Sequence, residues 1–186
     1  MTVFYFIRHC EPLRVGDDRT YPLSEKGMRD RALVTEFLCS KRIDAVLSSP
    51  FKRAYETVSQ FAELAGLTIE VVEDFRERAI SDEWVDDFKA YMANQWNDFN
   101  FKLPGGECFA EVQARKVAAF KEILERNEDK NIAVGTHGTA LSLLINYYDN
   151  SYGLAESYEM ISKMPWAVKM EFDVLECARI EKIDLY

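Results

Sequence analysis

Histidine is almost missing from this chain of 186 residues: there are two, His9 and His137. The four cysteines, Cys10, Cys39, Cys108 and Cys177, are dispersed and form no CxxC pair. Together these shortages argue against a zinc site. Thiols used this sparingly read as reduced, which is the expectation for a cytoplasmic protein. Positive charge is short as well: 23 Lys and Arg against 32 Asp and Glu leave a formal net charge of -9. That balance excludes a nucleic-acid or anionic-membrane surface as the binding face. No apolar run has the length of a bilayer span. The start of the chain lacks the basic segment of a secretory signal. Eight glycines and five prolines are too few and too scattered for a low-complexity linker. What is present, 48% apolar and 13% aromatic residues, is ordinary globular composition. A chain of this length is expected to be one domain, residues 1–186, burying roughly 70% of its unfolded surface. Composition does not choose between monomer and oligomer.

Apolar runs predict strands at Val3–Ile7, Asp44–Leu47, Leu67–Val72 and Ile132–Gly135. Helical patterns alternate with them. Ser24 reads as an N-cap, with Leu23 and Met28 set as a hydrophobic staple. The helix behind it, to about Cys39, is expected to bury Met28, Ala32, Leu33, Phe37 and Leu38. Ser49-Pro50 reads as a cap with proline in the first turn of a helix ending before Gly66. Residues 81–106 stand apart, acidic first and then aromatic, and read as a helical insertion closed by Pro104-Gly105-Gly106. A long helix from about Glu107 to Asn127 would bury Phe109, Val112, Val117, Phe120, Ile123 and Leu124. A helix at Thr139–Tyr148 and a closing hairpin (Ala167–Phe172 with Ala178–Leu185) complete the pattern. Strands alternating with helices imply an α/β fold in layers.

Both histidines fall just past a predicted strand, where ligand groups of open α/β sheets gather. The first follows arginine, in Arg8-His9. The second opens a helix, in Thr136-His137-Gly138, where backbone N–H groups lack helical partners and a glycine lets an anion approach the main chain. Beyond the second strand, Lys52 and Arg53 lie in a helix's first turn, against its dipole. Arg53 there reads as facing an anion, and Lys52 as facing solvent. Three independent signals on one sheet edge predict a phosphate pocket built from Arg8, His9, Arg53, His137 and Gly138.

At this point the chain resembles the histidine phosphatase superfamily, the group of phosphoglycerate mutases and related phosphatases. The residues that carry the resemblance are Arg8-His9 with Glu11, Leu23-Ser24-x-x-Gly27, Ser48-Ser49-Pro50-x-x-Arg53-Ala54-x-x-Thr57, Glu77 after Phe75-Arg76, Gly105-Gly106-Glu107 and Thr136-His137-Gly138. The resemblance implies a three-layer αβα sandwich with a mainly parallel sheet and the active site above it. It implies His9 as nucleophile through a phosphohistidine. Arg8, Arg53 and a protonated His137 would hold the phosphoryl oxygens, and Glu77 would be the acid for the leaving oxygen. Glu73, Asp74, Asp82 and Glu83 are the neighbouring carboxylates that could replace Glu77. Such chemistry asks for positioning and positive charge, and needs no metal or other cofactor. Asp17-Asp18 and Asp86-Asp87 accordingly read as solvated surface, and Glu11 as a loop-shaping residue.

One departure stands out: the family's usual glycine after the nucleophile is Cys10 here. Its side chain could crowd the phosphoryl group or turn into the core. The Trp-Asn of mutases after the first motif is absent, and the insertion carries Lys89 and Lys102 against Asp82, Glu83, Asp86, Asp87 and Asp98. The expectation is a phosphomonoester hydrolase of the histidine acid phosphatase type. Its partner would be a small phosphorylated substrate whose leaving group carries little negative charge. A mutase or a weakly catalytic phospho-ligand-binding module are the alternatives.

Overall fold

The first strand, β1 (Thr2–Arg8), is apolar almost throughout because both of its faces are covered. Alternate side chains point to opposite sides: Phe4 and Phe6 join one apolar cluster, Tyr5 and Ile7 the other. The computed structural model describes residues 1–186. After β1 come α1 (Glu25–Cys39), β2 (Ala45–Ser48), α2 (Lys52–Ala65), β3 (Ile69–Val71), α3 (Phe88–Asn97), α4 (Phe109–Glu125), β4 (Asn131–Thr136), α5 (Gly138–Tyr148), α6 (Leu154–Ile161), β5 (Trp166–Asp173) and β6 (Glu176–Ile183). The six strands form one sheet in the order β3-β2-β4-β1-β5-β6. Its β3–β2, β2–β4 and β4–β1 pairings are parallel, and the closing hairpin adds β5 and β6 antiparallel. Val34 and Leu38 of α1 with Val58, Phe61 and Ala62 of α2 cover one face. Phe120, Ile123 and Leu124 of α4 with Leu141, Leu144 and Ile145 of α5 cover the other. The result is the expected three-layer arrangement, and no helix is long and apolar enough to cross a membrane.

Several local expectations need correction. Met28 is 43% exposed, so it makes no staple with the buried Leu23. The buried face of α1 is Gly27, Val34, Thr35 and Leu38, a rotation from the predicted stripe. Gly27 sets that rotation: a Cβ there would lie 2.2 Å from the Glu11 carbonyl oxygen, so the helix can approach the loop only at a glycine. Ser24 does cap α1 by accepting from Gly27 N–H at 3.0 Å, and Glu11 braces Ser24 by accepting its hydroxyl at 2.7 Å. The second helix starts at Lys52 rather than Pro50, because Phe51 keeps extended dihedrals as its N-cap and Ser49 N–H donates to the Gly135 carbonyl, prolonging the sheet pairing. The third strand is shorter than predicted. The insertion is helical only over α3; residues 81–87 are irregular. The sequence pattern also missed α6, whose eight residues are too few to show a clear 3.6 period.

The parallel register places Arg8 beside Thr136 and Ser48 beside Gly135. The residues that follow, His9, His137 and Ser49, therefore emerge together at one sheet edge.

Candidate active site

His9 leaves β1 with its N–H bound to the Thr136 carbonyl at 3.0 Å. Its ring Nδ1 lies 2.7 Å from the Cys10 carbonyl oxygen. A carbonyl can only accept, so Nδ1 carries the hydrogen and Nε2 keeps its lone pair. The Nε–H of Arg53 points at that lone pair from 3.2 Å. Burial first, then the charges of Arg53 and Arg8, hold the His9 imidazole well below its ordinary pKa. The ring is thus neutral and oriented, with Nε2 unprotonated and accepting from Arg53.

Arg53, in the first turn of α2, is 5% exposed and lies over the Phe51 ring at 4.9 Å. Its Nη1 donates to the Asp18 carbonyl at 2.5 Å and sits 3.2 Å from the Asp18 carboxylate. Asp18 is therefore part of the site, a correction to its reading as solvated loop. Nothing in the local Asp17-Asp18 pair signals a partner 35 residues away in sequence.

Arg8 is anchored differently. Its Nη1 donates to the carbonyls of Met160, Ile161 and Lys163 at 2.7, 2.7 and 2.6 Å, the C-terminal end of α6. Carbonyls gathered at the C-terminal end of a helix favour a cation. Its Nε is buried without a partner. Burial pushes the guanidinium pKa down to about 10. A Cβ on Gly138 would stand 3.4 Å from Arg8 Nε, in ordinary van der Waals contact.

Glu77 also changes the picture at α5. Its carboxylate accepts from Thr139 N–H at 3.0 Å, Ala140 N–H at 3.1 Å and Arg78 N–H at 2.9 Å. The helix-terminal donors expected to meet an anionic ligand hold Glu77 instead, at the positive end of the helix dipole. The rival carboxylates are engaged elsewhere or stay at the rim. Glu73 pairs with Arg19, Asp74 with Arg76, and the exposed Asp82 and Glu83 lie on the cavity mouth.

His137 is fully buried, its ring packed between His9 (centroids 5.2 Å) and Phe51 (5.1 Å). Its Nε2 shares a hydrogen with Ser49 Oγ at 2.7 Å, and its Nδ1 is sealed without a partner. Burial and the neighbouring Arg53 and His9 push its pKa well below the ordinary value, so it is neutral where a protonated ring was expected. Ser49, read as a helix cap, is instead the partner of this histidine.

Arg8, His9, Arg53, Glu77 and Gly138 line one cavity of about 1180 Å³, with His137 behind the wall. Arg14 and Arg78 line it too, and sequence reasoning passed over both. Phe88 and the 88% exposed Trp84 border it, whereas Trp96 and Phe99 pack on Phe109. Cys10 turns into the core: it is fully buried, its N–H donates to Thr57 Oγ1 at 2.9 Å, and burial raises its thiol to about 12.

Lys116 lies beneath the site, fully buried, with Nζ 2.9 Å from Thr136 Oγ1 and 4.6 Å from the Phe75 ring centroid. Its position midway between Val112 and Phe120, four residues from each, is the signal that could have found it. Burial lowers its pKa from 10.5 to about 7. Below pH 7 both folded and unfolded chains hold this proton, and the cost of burying the charge is complete. Between about pH 7 and 10.5 only the unfolded chain keeps it, so stability rises with pH. Lys116→Met is expected to stabilise the protein by on the order of 1–4 kcal/mol near neutral pH and to flatten that rise. Urea midpoints measured across this range check both.

The family model of the histidine phosphatase superfamily (branch 1) matches residues 4–161. A phosphoserine phosphatase 1 of Hydrogenobacter thermophilus is 25% identical over 128 residues, an alignment spanning 62% of this chain and 58% of that protein. A probable phosphoglycerate mutase GpmB of Yersinia pestis is 26% identical over 159 residues, 78% of this chain and 74% of that one. Among solved structures, a mycobacterial glucosyl-3-phosphoglycerate phosphatase shares the fold with a TM-score of 0.75 at 19% identity, covering 97% of both chains.

Proposed function

The chain belongs to the histidine phosphatase superfamily, and from that membership we propose a metal-independent phosphatase that hydrolyses phosphate monoesters through a phosphohistidine on His9. The observation that carries this reading is the His9 ring, with Nδ1–H committed to the Cys10 carbonyl and the unprotonated Nε2 facing Arg53. Nε2 attacks phosphorus and the bond to the ester oxygen breaks. Glu77, entering as the acid, gives that oxygen its proton, so the alcohol leaves neutral. The imidazole now bears a positive charge, which the Cys10 carbonyl stabilises through Nδ1–H. Arg53 and Arg8 face the charge on the transferring oxygens. Water then attacks phosphorus, Glu77 takes its proton, and the N–P bond breaks to release phosphate and restore His9.

The enzyme is of the histidine acid phosphatase type in one physical sense: its nucleophile stays neutral into acid. The lowered pKa of His9 puts the acid limb of kcat/KM below pH 6.5. The test is hydrolysis of p-nitrophenyl phosphate in excess EDTA across pH 4–8, with acid-labile phosphoenzyme trapped by quench. Full activity with EDTA and a trapped phosphoramidate are expected. Inactivation by EDTA with recovery on added Mg²⁺ would overturn the metal-free reading.

The resemblance to a protein named as a probable phosphoglycerate mutase favours a second reading, phosphoryl transfer between positions of a phosphorylated acid. Interconversion of phosphoglycerates without release of inorganic phosphate would establish it.

A further inference from the structure

Lys116 of α4 has no part in the mechanism above, yet it sets a charge into the core beneath the two histidines. It is fully buried, and the Thr136 hydroxyl that accepts its hydrogen bond at 2.9 Å is fully buried too. The Phe75 ring, with its centroid 4.6 Å from Nζ, takes the place of a second partner. Neither partner is an anion. Thr136 is where the two histidines meet. It ends β4, its carbonyl accepts the His9 N–H at 3.0 Å, and His137 is the next residue.

The charged and titratable groups that act on Lys116 come from the elements packed around it. Glu77, in the segment after β3, attracts its charge, and Arg115, on α4 itself, opposes it. At the start of α5, the Lys116 charge is one cause of the lowered pKa of His137. Strand β4 contributes the neutral Thr136. An ammonium with a hydroxyl and a ring for company costs stability, and a methionine of similar length would fill the space without that cost. A chain that keeps the charge gains something other than stability from it. In front of Lys116 stands the wall of an anion pocket, and a positive charge acting there through protein is screened far less than one acting through water.

We propose that Lys116 is a positioning residue of the active site: its ammonium, tied to Thr136, fixes the strand end that carries both histidines and favours the phosphoryl anion held in front of them. This rests on the phosphatase reading above and deepens it. The site is then strongest while Lys116 keeps its proton. Burial brings the loss of that proton down to about pH 7, whereas both histidines are already neutral at pH 6.5. A descending limb of kcat/KM near pH 7 is therefore expected from a residue that never touches the substrate.

The test compares wild type with Lys116→Met on one substrate, p-nitrophenyl phosphate, across pH 5.5–9, so that ionisation of the substrate cancels in the ratio. Wild type is expected to lead in kcat/KM by about 10-fold at pH 6, the scale of a single partly screened charge. It should lose that lead by pH 9, where its own lysine is neutral. Affinity for inorganic phosphate, measured by calorimetry on both proteins, should follow the same course without turnover. Urea midpoints add a readout that a packing role would not give: the variant should be slower and more stable at once. Thr136→Val takes the hydroxyl away from an intact lysine. The ammonium then gives up its proton more readily, so the limb should move down by about one pH unit. Thr136→Ser, which restores an acceptor, should bring it back. These two variants decide the matter if Lys116→Met does not fold. A ratio of wild type to Lys116→Met that is the same at every pH overturns the proposal, as does a limb that ignores Thr136→Val, and either leaves the phosphatase reading intact. Failure of wild type to hydrolyse the ester, with the two phosphate affinities still separating below pH 7 and merging above it, would instead sink the phosphatase reading and keep the role of Lys116 toward the anion.

Discussion

Replacing His9 by alanine is expected to remove turnover and the acid-labile phosphoenzyme together, with a rate loss on the order of 10⁴-fold or more. The reason is geometric. The only other imidazole, His137, has no exposed surface and has Nε2 committed to Ser49. Cys10, the next residue, turns its thiol into the apolar core, where burial raises its pKa to about 12 and starves it of thiolate. No second imidazole or thiol lines the cavity to form such a bond in place of His9. Rapid-quench trapping of labelled phosphoenzyme, beside steady-state rates, measures both losses. A variant retaining about a tenth of wild-type turnover, or still labelled in acid-labile form, would show that the phosphoryl group travels by another route.

Glu77→Gln should have the second largest effect, and one that depends on the leaving group. An alkoxide leaves poorly without a proton, whereas p-nitrophenolate needs little help. The single-turnover burst with an alkyl phosphate should therefore slow by on the order of 10²–10⁴-fold, and that with p-nitrophenyl phosphate much less. The surroundings of this carboxylate add a second consequence. Both oxygens accept backbone N–H bonds at the start of α5 and from Arg78. An amide can offer only one oxygen, so at least one of these donors then faces an NH₂ group. A stability loss of about 1–3 kcal/mol should accompany the kinetic effect. Glu73→Gln is the control: Glu73 is exposed and paired with Arg19, so both substrates should respond alike. An unchanged burst with the alkyl phosphate in Glu77→Gln would pass the role of acid to Asp82, which also lines the cavity.

How legible this molecule was in its sequence depended on how local each signal was. The apolar strands other than the third, the cap at Ser24, the stop at Gly66 and the buried stripe of α4 are properties of a few neighbouring residues, and they lie where the sequence puts them. The two histidines could be brought to one sheet edge because a parallel sheet sends its strand ends to the same side. Pairings that cross the fold were not legible. Asp18 on Arg53, the α6 carbonyls on Arg8 and Ser49 on His137 link segments with no shared periodicity. The orphan N–H groups at α5 were foreseen as donors, but not that a side chain 62 residues earlier would take them. Side-chain direction after a strand end is set by packing, and composition could not say that His137 would sit behind the wall while Arg78 reached it.

The Asp18–Arg53 contact has a consequence for energetics. The arginine beside the nucleophile does not wait as a bare charge; it already holds an anion supplied by the chain. On the phosphatase reading, a phosphoryl group arriving there would take the place of a carboxylate. What the protein gains is only the difference between two anions on one cation, together with the freedom returned to the segment around Asp18. Ground-state affinity for phosphate, substrate or product alike, is reduced by that exchange. The transition state, with more charge spread over its equatorial oxygens, is the better competitor. On the phosphatase reading, Asp18 is placed to take Arg53 back once inorganic phosphate is all that remains.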